Sequence, residues 1–97
     1  MKIGFIGLGN VGKKLAGSLI RNGHDVTVRD LDDALVGEFV ARGAKSAASP
    51  RDLAETVDLI ITCLPSPAAS SAVAEGPDGF LQVMRPGQVW LEMSTTD

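Results

Sequence analysis

The chain has 97 residues, nine of them Lys or Arg and twelve Asp or Glu, so its net charge is −3. This length suits one domain with a modest hydrophobic core, and charges spread without runs indicate neither nucleic acid nor an anionic membrane as a partner. The longest strongly apolar stretch, residues 59–64, is far below the ~20 residues that span a bilayer.

The first predicted unit is a strand, a glycine turn and a helix. Residues 2–6 are mostly apolar without strict alternation, which is typical of a central parallel strand. Gly7, Gly9 and Gly12 follow in G-x-G-x-x-G spacing, and apolar periodicity predicts a helix over about 11–22. Gly7 suits a sharp turn, Gly9 lets a pyrophosphate approach the main chain, and Gly12 lets the helix lie close to the strand. The helix N-terminus would then face the phosphates of a dinucleotide.

An acidic residue ends the second predicted strand, which covers residues 25–30. Asp30 follows Gly12 by 18 positions, and a carboxylate at this place can accept hydrogen bonds from both hydroxyls of an adenosine ribose. The alternative is that Asp30 is a helix-start or loop carboxylate. Arg29 could attract the 2′-phosphate of NADP, but strand alternation points it away from Asp30. NAD is therefore the preferred cofactor, with NADP as the other possibility.

The remaining elements continue the alternation of strands and helices. Asp32 and Asp33 begin a helix that ends at Arg42 and Gly43, and Ser49 with Pro50 begins another that ends near residue 56. The other predicted elements are strands at 44–47, 58–64 and 88–93, a helix at 68–74 and one helical turn around 80–84.

This alternation predicts an α/β fold, a Rossmann-type doubly wound parallel sheet with strand order 3-2-1-4-5. The order reverses between strands 1 and 4, so the turn at 7–12 and the turn at Leu64-Pro65 flank one crevice. Ser94, Thr95 and Thr96, at the end of strand 5, face the same crevice. Their alternative role is to cap a following helix.

The single cysteine and the single histidine are interpreted as structural residues. Cys63 is expected to be a small core residue because no cationic residue is next to it in sequence, and it excludes an intrachain disulfide. His24 follows a helix end and is expected to be a loop residue, and no Cys/His grouping has metal-ligand spacing. With no secretory leader recognisable at the N-terminus, we expect a cytoplasmic location.

Five motifs together resemble the β-hydroxyacid dehydrogenases, the family typified by 3-hydroxyisobutyrate dehydrogenase and tartronate semialdehyde reductase. They are Gly-Leu-Gly-Asn-Val-Gly at 7–12, Gly-His-Asp-Val at 23–26, Ala-Ser-Pro at 48–50, Asp-Leu-Ile-Ile-Thr-Cys-Leu-Pro at 58–65 and Glu-Met-Ser-Thr at 92–95. The resemblance implies NAD(P)-dependent oxidation of a small β-hydroxy acid to its semialdehyde, or the reverse reduction, by a full-length enzyme that is a homo-oligomer.

The resemblance also implies which residues contact the cofactor and the substrate. Ser94 would bind the substrate carboxylate. Glu92, where Asp is usual, and Ala69, where some relatives have asparagine, depart from the family pattern. The implied cofactor-binding residues are Gly7, Leu8, Gly9, Asn10, Val11 and Gly12 at the pyrophosphate, Asp30 and Leu31 at the adenosine, and Leu64, Pro65 and Thr95 toward the nicotinamide.

The family's catalytic lysine has no counterpart among Lys2, Lys13, Lys14 and Lys45. We therefore expect residues 1–97 to be a dinucleotide-binding domain that is incomplete at its C-terminal end and lacks the helical substrate domain. Such a chain should bind NAD weakly without turnover. The alternatives are a non-catalytic nucleotide-sensing module and a related reductase acting on glyoxylate or an imine.

Overall fold

The computed structural model describes residues 1–8, 10–64, 67–76 and 79–93. The side chains of residues 10, 11, 67, 68, 70 and 71 are not described. Strands and helices alternate along the described chain: β1 (Lys2–Ile6), α1 (Asn10–Arg21), β2 (Asp25–Arg29), α2 (Asp33–Ala41), β3 (Lys45–Ser46), α3 (Pro50–Thr56), β4 (Leu59–Thr62), α4 (Pro67–Glu75), a 3₁₀ helix (Leu81–Val83) and β5 (Val89–Glu92).

The five strands form one parallel sheet in the order β3-β2-β1-β4-β5, which confirms the predicted topology. In the sheet register, Phe5 of β1 lies between Val28 of β2 and Ile61 of β4. Each predicted strand after β1 is longer than the observed one. The difference matters at two ends: β2 stops at Arg29 and β4 at Thr62, so the residues that follow are loop residues at the carboxyl edge of the sheet.

Helices cover both faces of the sheet, so the central strands are buried on two sides. This explains why their sequences are nearly continuous apolar runs rather than alternating ones. Two clusters of buried residues, one on each face of the sheet, form the core. Trp90 packs against the second cluster, where its ring contacts Phe80 edge-to-face at a centroid distance of 5.0 Å and its indole N–H donates to Thr62 Oγ1 at 2.9 Å. The buried residues of the two clusters are Ile3, Phe5, Leu8, Ala16, Val26, Val28, Phe39, Ala44 and Ile61 on the first, and Ile6, Leu53, Ala54, Val57, Ile60, Ala74 and Phe80 on the second.

Local sequence signals determine where α1 and α2 end. His24 N–H donates to Leu19 O at 3.1 Å around Gly23, whose φ is +82°, and Ala44 N–H donates to Phe39 O at 3.1 Å around Gly43, whose φ is +109°. These bonds define the Schellman arrangement, in which glycine takes the left-handed conformation just past the helix. Both helices therefore stop where the Asn-Gly and Arg-Gly pairs predict.

Polar side chains begin α2 and α3 as the sequence predicts. Asp32 Oδ1 accepts from the N–H groups of Ala34 and Leu35 at 3.1 and 3.2 Å, and Ser49 Oγ accepts from Asp52 N–H at 3.1 Å. Each cap satisfies backbone donors that have no partner within the helix. Asp32 has this role in α2, and the neighbouring Asp30 is available for another.

The C-terminus of α3 is closed by two side chains that precede β5. Gln88 Nε2 donates to Ala54 O at 2.6 Å and to Val57 O at 2.8 Å. Arg85 donates from Nη1 to Glu55 O at 3.2 Å and from Nη2 to Val57 O at 3.1 Å. These bonds fix the start of β5 to the end of α3, and no motif in the sequence predicted them.

Replacing Gln88 by alanine is expected to lower the free energy of unfolding by about 0.5–1.5 kcal/mol for each hydrogen bond lost, because Ala54 O and Val57 O lose the amide donor and keep only the Arg85 guanidinium. The measurement is urea unfolding followed by circular dichroism. Gln82→Ala, an exposed change in the neighbouring 3₁₀ helix, is the matched control and should be near neutral. Equal unfolding midpoints for the two variants would contradict the capping role.

Candidate functional site: the carboxyl edge of the sheet

The carboxyl end of β1 is tied to both neighbouring strands. Gly7 N–H donates to Arg29 O at 2.9 Å, and Cys63 N–H donates to Ile6 O at 2.9 Å. Gly7 has a φ of +94°, a conformation that residues with a Cβ rarely adopt. A Cβ at Gly7 would also meet the carbonyl oxygen of Cys63. The chain can therefore turn sharply toward α1 at this point because residue 7 is glycine.

Asp30 connects β2 to this glycine turn. Its Oδ2 accepts from Leu8 N–H at 2.6 Å, and its Oδ1 accepts from Asp32 N–H at 2.9 Å. The carboxylate therefore lies at the turn and does not cap α2, which is the role of Asp32. An ionised carboxylate has about four acceptor positions. Two are used here, so capacity remains for two ligand hydroxyls.

Gly12 brings the first turn of α1 against the glycine turn. A Cβ at this position would lie 2.6 Å from Gly7 O, 3.1 Å from Cys63 Cβ and 3.3 Å from Cys63 Sγ. All three separations are below normal van der Waals contact, so only glycine allows this approach. The first turn of α1 contains no acidic residue, so the helix itself places no carboxylate against its positive end.

Cys63 and Leu64 follow β4 on the other side of the crevice. Leu64 is half-buried and packs against the second core cluster. Cys63 is also only half-buried, and its thiol lies 3.9 Å from Met93 O. The expectation that Cys63 is a core residue is therefore wrong: β4 ends at Thr62, and the side chain of the next residue lies beside the first turn of α1.

Burial raises the pKa of the Cys63 thiol, the Gly12 backbone opposes the rise through a hydrogen bond, and the negative charge of Glu92 adds to it. We expect iodoacetamide to modify Cys63 more slowly at pH 7.5 in the folded chain than in the unfolded chain, because less thiolate is present when the thiol is buried. The rate should increase at a more alkaline pH than for the free thiol. Urea-unfolded protein is the control, and faster alkylation of the folded than of the unfolded chain would contradict the prediction.

Most of the predicted site residues that lie within the described part of the chain are close together in the structure. Gly7, Leu8, Gly12, Asp30 and Leu64 are neighbours at the carboxyl edge of the sheet, where the predicted crevice lies. Asn10 and Val11 begin α1, and their side chains are not described. Leu31 is 93% exposed, so it belongs to the rim rather than to the wall. Gly9, Pro65, Ser94, Thr95 and Thr96 fall outside the residues that the structure describes.

These residues fit a dinucleotide on structural grounds. The glycine turn, whose Leu8 side chain is buried in the first core cluster, precedes a helix N-terminus, which is the arrangement that binds linked phosphates. The Asp30 carboxylate, with two remaining acceptor positions, lies at the end of the adjacent strand β2. Its hydrogen bond to Leu8 N–H, 2.6 Å long, holds it against the glycine turn. The crevice lies where the strand order reverses, the usual ligand position in open α/β sheets.

Two kinds of feature are absent among residues 1–8, 10–64, 67–76 and 79–93. No helix among them is long and apolar enough to cross a membrane. No group of three or more His, Cys, Asp or Glu side chains in the described ranges is placed to hold a metal ion.

Comparison with known proteins agrees with this geometry. The family described as the NAD binding domain of 6-phosphogluconate dehydrogenase matches residues 2–97. The chain is 40% identical over 95 residues to rat mitochondrial 3-hydroxyisobutyrate dehydrogenase, covering 98% of this chain and 28% of the relative. It is 36% identical over 96 residues to the human cytokine-like nuclear factor N-PAC, covering 99% of this chain and 17% of that protein.

A solved structure shows the same fold. The 3-hydroxyisobutyrate dehydrogenase of Salmonella typhimurium superposes with a TM-score of 0.90 at 31% identity, over 100% of this chain and 34% of the other. The chain therefore spans about a third or less of the length of these relatives. The resemblance to the hydroxyacid dehydrogenases, stated above from five motifs, is confirmed by these matches.

Proposed function

Because the chain belongs to the family of NAD-binding domains typified by that of 6-phosphogluconate dehydrogenase, we propose that it binds a nicotinamide dinucleotide in the crevice at the carboxyl edge of the sheet. The observation that carries this proposal is the Asp30 carboxylate, which accepts from Leu8 N–H at 2.6 Å within the glycine turn. This contact supports neighbouring subsites for the pyrophosphate and the ribose.

Each part of the crevice has a separate role in this proposal. The glycine turn and the N-terminus of α1, residues 7–12, hold the pyrophosphate. Asp30 holds the adenosine ribose, with Leu31 on the rim beside it. The proposal assigns Leu64, Pro65 and Thr95 to the nicotinamide and Ser94 to the substrate, as the family resemblance implies. When bound, the nicotinamide would accept a hydride from the substrate carbon in the oxidation and would return it in the reverse reduction.

NAD is the proposed cofactor in preference to NADP. The 2′-phosphate of NADP would replace one of the ribose hydroxyls that Asp30 is placed to bind. It would also set a phosphate beside a carboxylate, and such like-charge contacts cost several kcal/mol. The free Cys63 thiol suits a reducing compartment such as the cytoplasm.

The whole protein is proposed to oxidise a small β-hydroxy acid, or to reduce its semialdehyde. Support comes from the 40% identity to rat 3-hydroxyisobutyrate dehydrogenase across 95 residues. Hydride transfer also needs an acid–base group at the hydroxyl oxygen, and none of the lysines of this chain matches the one that the family uses. We therefore propose that these 97 residues bind the cofactor without turnover, and that the full-length enzyme is a homo-oligomer with no nucleic-acid partner.

The test is calorimetric titration of the purified chain with NAD and, separately, with NADP. We expect saturable binding of NAD and at least about tenfold weaker binding of NADP, given the like-charge contact at Asp30. NAD should also raise the unfolding temperature, as any ligand specific for the folded state does. A folded chain that binds neither dinucleotide at millimolar concentration would refute the proposal.

A second candidate function is a non-catalytic module that responds to dinucleotide occupancy. It is favoured by the 36% identity to human N-PAC, which is named as a nuclear factor rather than as an enzyme. Fold and cofactor binding are common to both functions. Hydroxy-acid-dependent reduction of NAD by the full-length protein would favour the dehydrogenase, and its absence in a protein that binds NAD would favour the module.

A further inference from the structure

A second cleft, of about 360 Å³, lies between α1 and α2 and is lined by four basic side chains: Lys13, Lys14, Arg21 and Arg42. These are four of the nine Lys and Arg residues in a chain whose net charge is −3. The three on α1 fall within an arc of about 100° on the helix surface. Arg42 reaches them from the end of α2. We call this feature the basic cleft.

Two guanidinium groups in the basic cleft converge on Gly17. A Cβ on Gly17 would lie 3.4 Å from Arg21 Nη1 and 3.4 Å from Arg42 Nη1, so two positive side chains are directed to the same point on α1. Arg42 is compensated in part, because its Nη2 lies 3.0 Å from Glu38 Oε1. Among the described residues, no carboxylate forms an ion pair with Lys13, Lys14 or Arg21.

Converging cations with so little compensation favour an anion between them. Guanidinium groups present planar, paired donors that match phosphate oxygens, and lysine ammonium groups add mobile point charges. A volume of about 360 Å³ lies in the range of small-molecule sites. A single carboxylate would neutralise only one of these charges, whereas linked phosphates carry several at neutral pH.

We propose that the basic cleft binds an oligophosphate, a ligand with two or more linked phosphate groups, at a site separate from the dinucleotide crevice. Arg21 and Arg42 hold one phosphate above Gly17, and Lys13 with Lys14 holds the next. Long nucleic acids fit less well, because the net negative charge of the chain repels a polyanion that extends beyond the cleft.

The basic cleft and the dinucleotide crevice are served by different parts of α1. The crevice uses the N-terminal residues of the helix together with Asp30. The basic cleft begins at Lys13, directly after Gly12, and extends to Arg21 in the last turn. Its side chains leave α1 about 100–200° around the helix axis from Gly12, which faces Gly7 and Cys63. An oligophosphate in the cleft therefore leaves the helix N-terminus accessible, and the two ligands should bind without displacing each other.

The experiment is calorimetric titration of the chain with sodium tripolyphosphate at low ionic strength. The variants are Arg21→Gln/Arg42→Gln and Lys13→Gln/Lys14→Gln. The control, Lys45→Gln/Arg51→Gln, changes the net charge equally but away from the cleft. We expect each cleft variant to lose at least about tenfold in affinity and the control less than about twofold. Affinity should fall steeply with added salt.

Further measurements separate this proposal from the proposed cofactor site. NAD affinity should be unchanged in both cleft variants, and saturating NAD should leave tripolyphosphate binding intact. ATP that binds as tightly as tripolyphosphate would identify nucleotides as a source of the phosphates, and weaker binding of ATP would identify free polyphosphate. Displacement of tripolyphosphate by NAD, an equal loss in the control variant, or no binding by the wild-type chain would overturn the proposal.

Discussion

Gly12→Ala is expected to weaken NAD binding by more than about tenfold and to lower the free energy of unfolding by roughly 1–3 kcal/mol. The added Cβ would lie 2.6 Å from Gly7 O and 3.1 Å from Cys63 Cβ. Gly7 O is a backbone atom of the glycine turn, so relief requires movement of α1 away from β1. That movement displaces the helix N-terminus from the position at which it faces the phosphates.

Gly37→Ala is the matched control because it makes the same chemical change inside α2. No atom lies within 4 Å of a Cβ at Gly37, and alanine is favoured over glycine in a helix by up to about 1 kcal/mol. This variant should be more stable than the wild type and should bind NAD equally well. The NAD titrations are carried out under conditions in which circular dichroism shows that both variants are folded. Wild-type NAD affinity in folded Gly12→Ala would contradict the role of close helix packing.

Local sequence signals were sufficient to predict the sheet topology and most helix boundaries. Asp32 and Ser49 were recognised as caps, and Gly23 and Gly43 as helix ends, because each acts on backbone groups within a few residues of itself. The continuous apolar run at 59–62 identified a central parallel strand for the same reason. Features that depend on a few consecutive residues can be inferred from one sequence.

Contacts between distant residues were the part that the sequence did not predict. Gln88 and Arg85 cap α3 from about 30 positions away, and residue type alone does not reveal which carbonyl groups they approach. Cys63 was expected in the core because no cationic residue is next to it and because it fell within β4, which was predicted to continue to residue 64 but ends at Thr62. In the site, the spacing from Gly12 to Asp30 predicted a shared crevice. It did not predict that Asp30 bonds to Leu8, because that contact depends on the register of β1 and β2.

Substitution of Asp30 is the second change that we expect to alter NAD affinity strongly. Asp30→Asn is expected to weaken NAD binding by at least about tenfold, because an amide has one acceptor oxygen where the carboxylate has two. Leu8 N–H and Asp32 N–H already use both carboxylate oxygens at 2.6 and 2.9 Å. The amide group would have to abandon one of these donors. We also expect a loss of about 1–2 kcal/mol in the free energy of unfolding, typical of a hydrogen bond to a charged group.

The change in cofactor preference distinguishes a ribose contact from a purely structural role for Asp30. A structural role alone predicts that Asp30→Asn weakens NAD and NADP by the same factor, because both share the pyrophosphate subsite. A ribose contact predicts a smaller loss for NADP, because the substitution also removes the like-charge contact with the 2′-phosphate. Asp33→Asn, an exposed acid three residues along the chain, controls for the altered net charge and should leave both affinities unchanged. The measurement is parallel titration of each variant with the two dinucleotides, and an unchanged ratio of their affinities in Asp30→Asn would refute ribose binding.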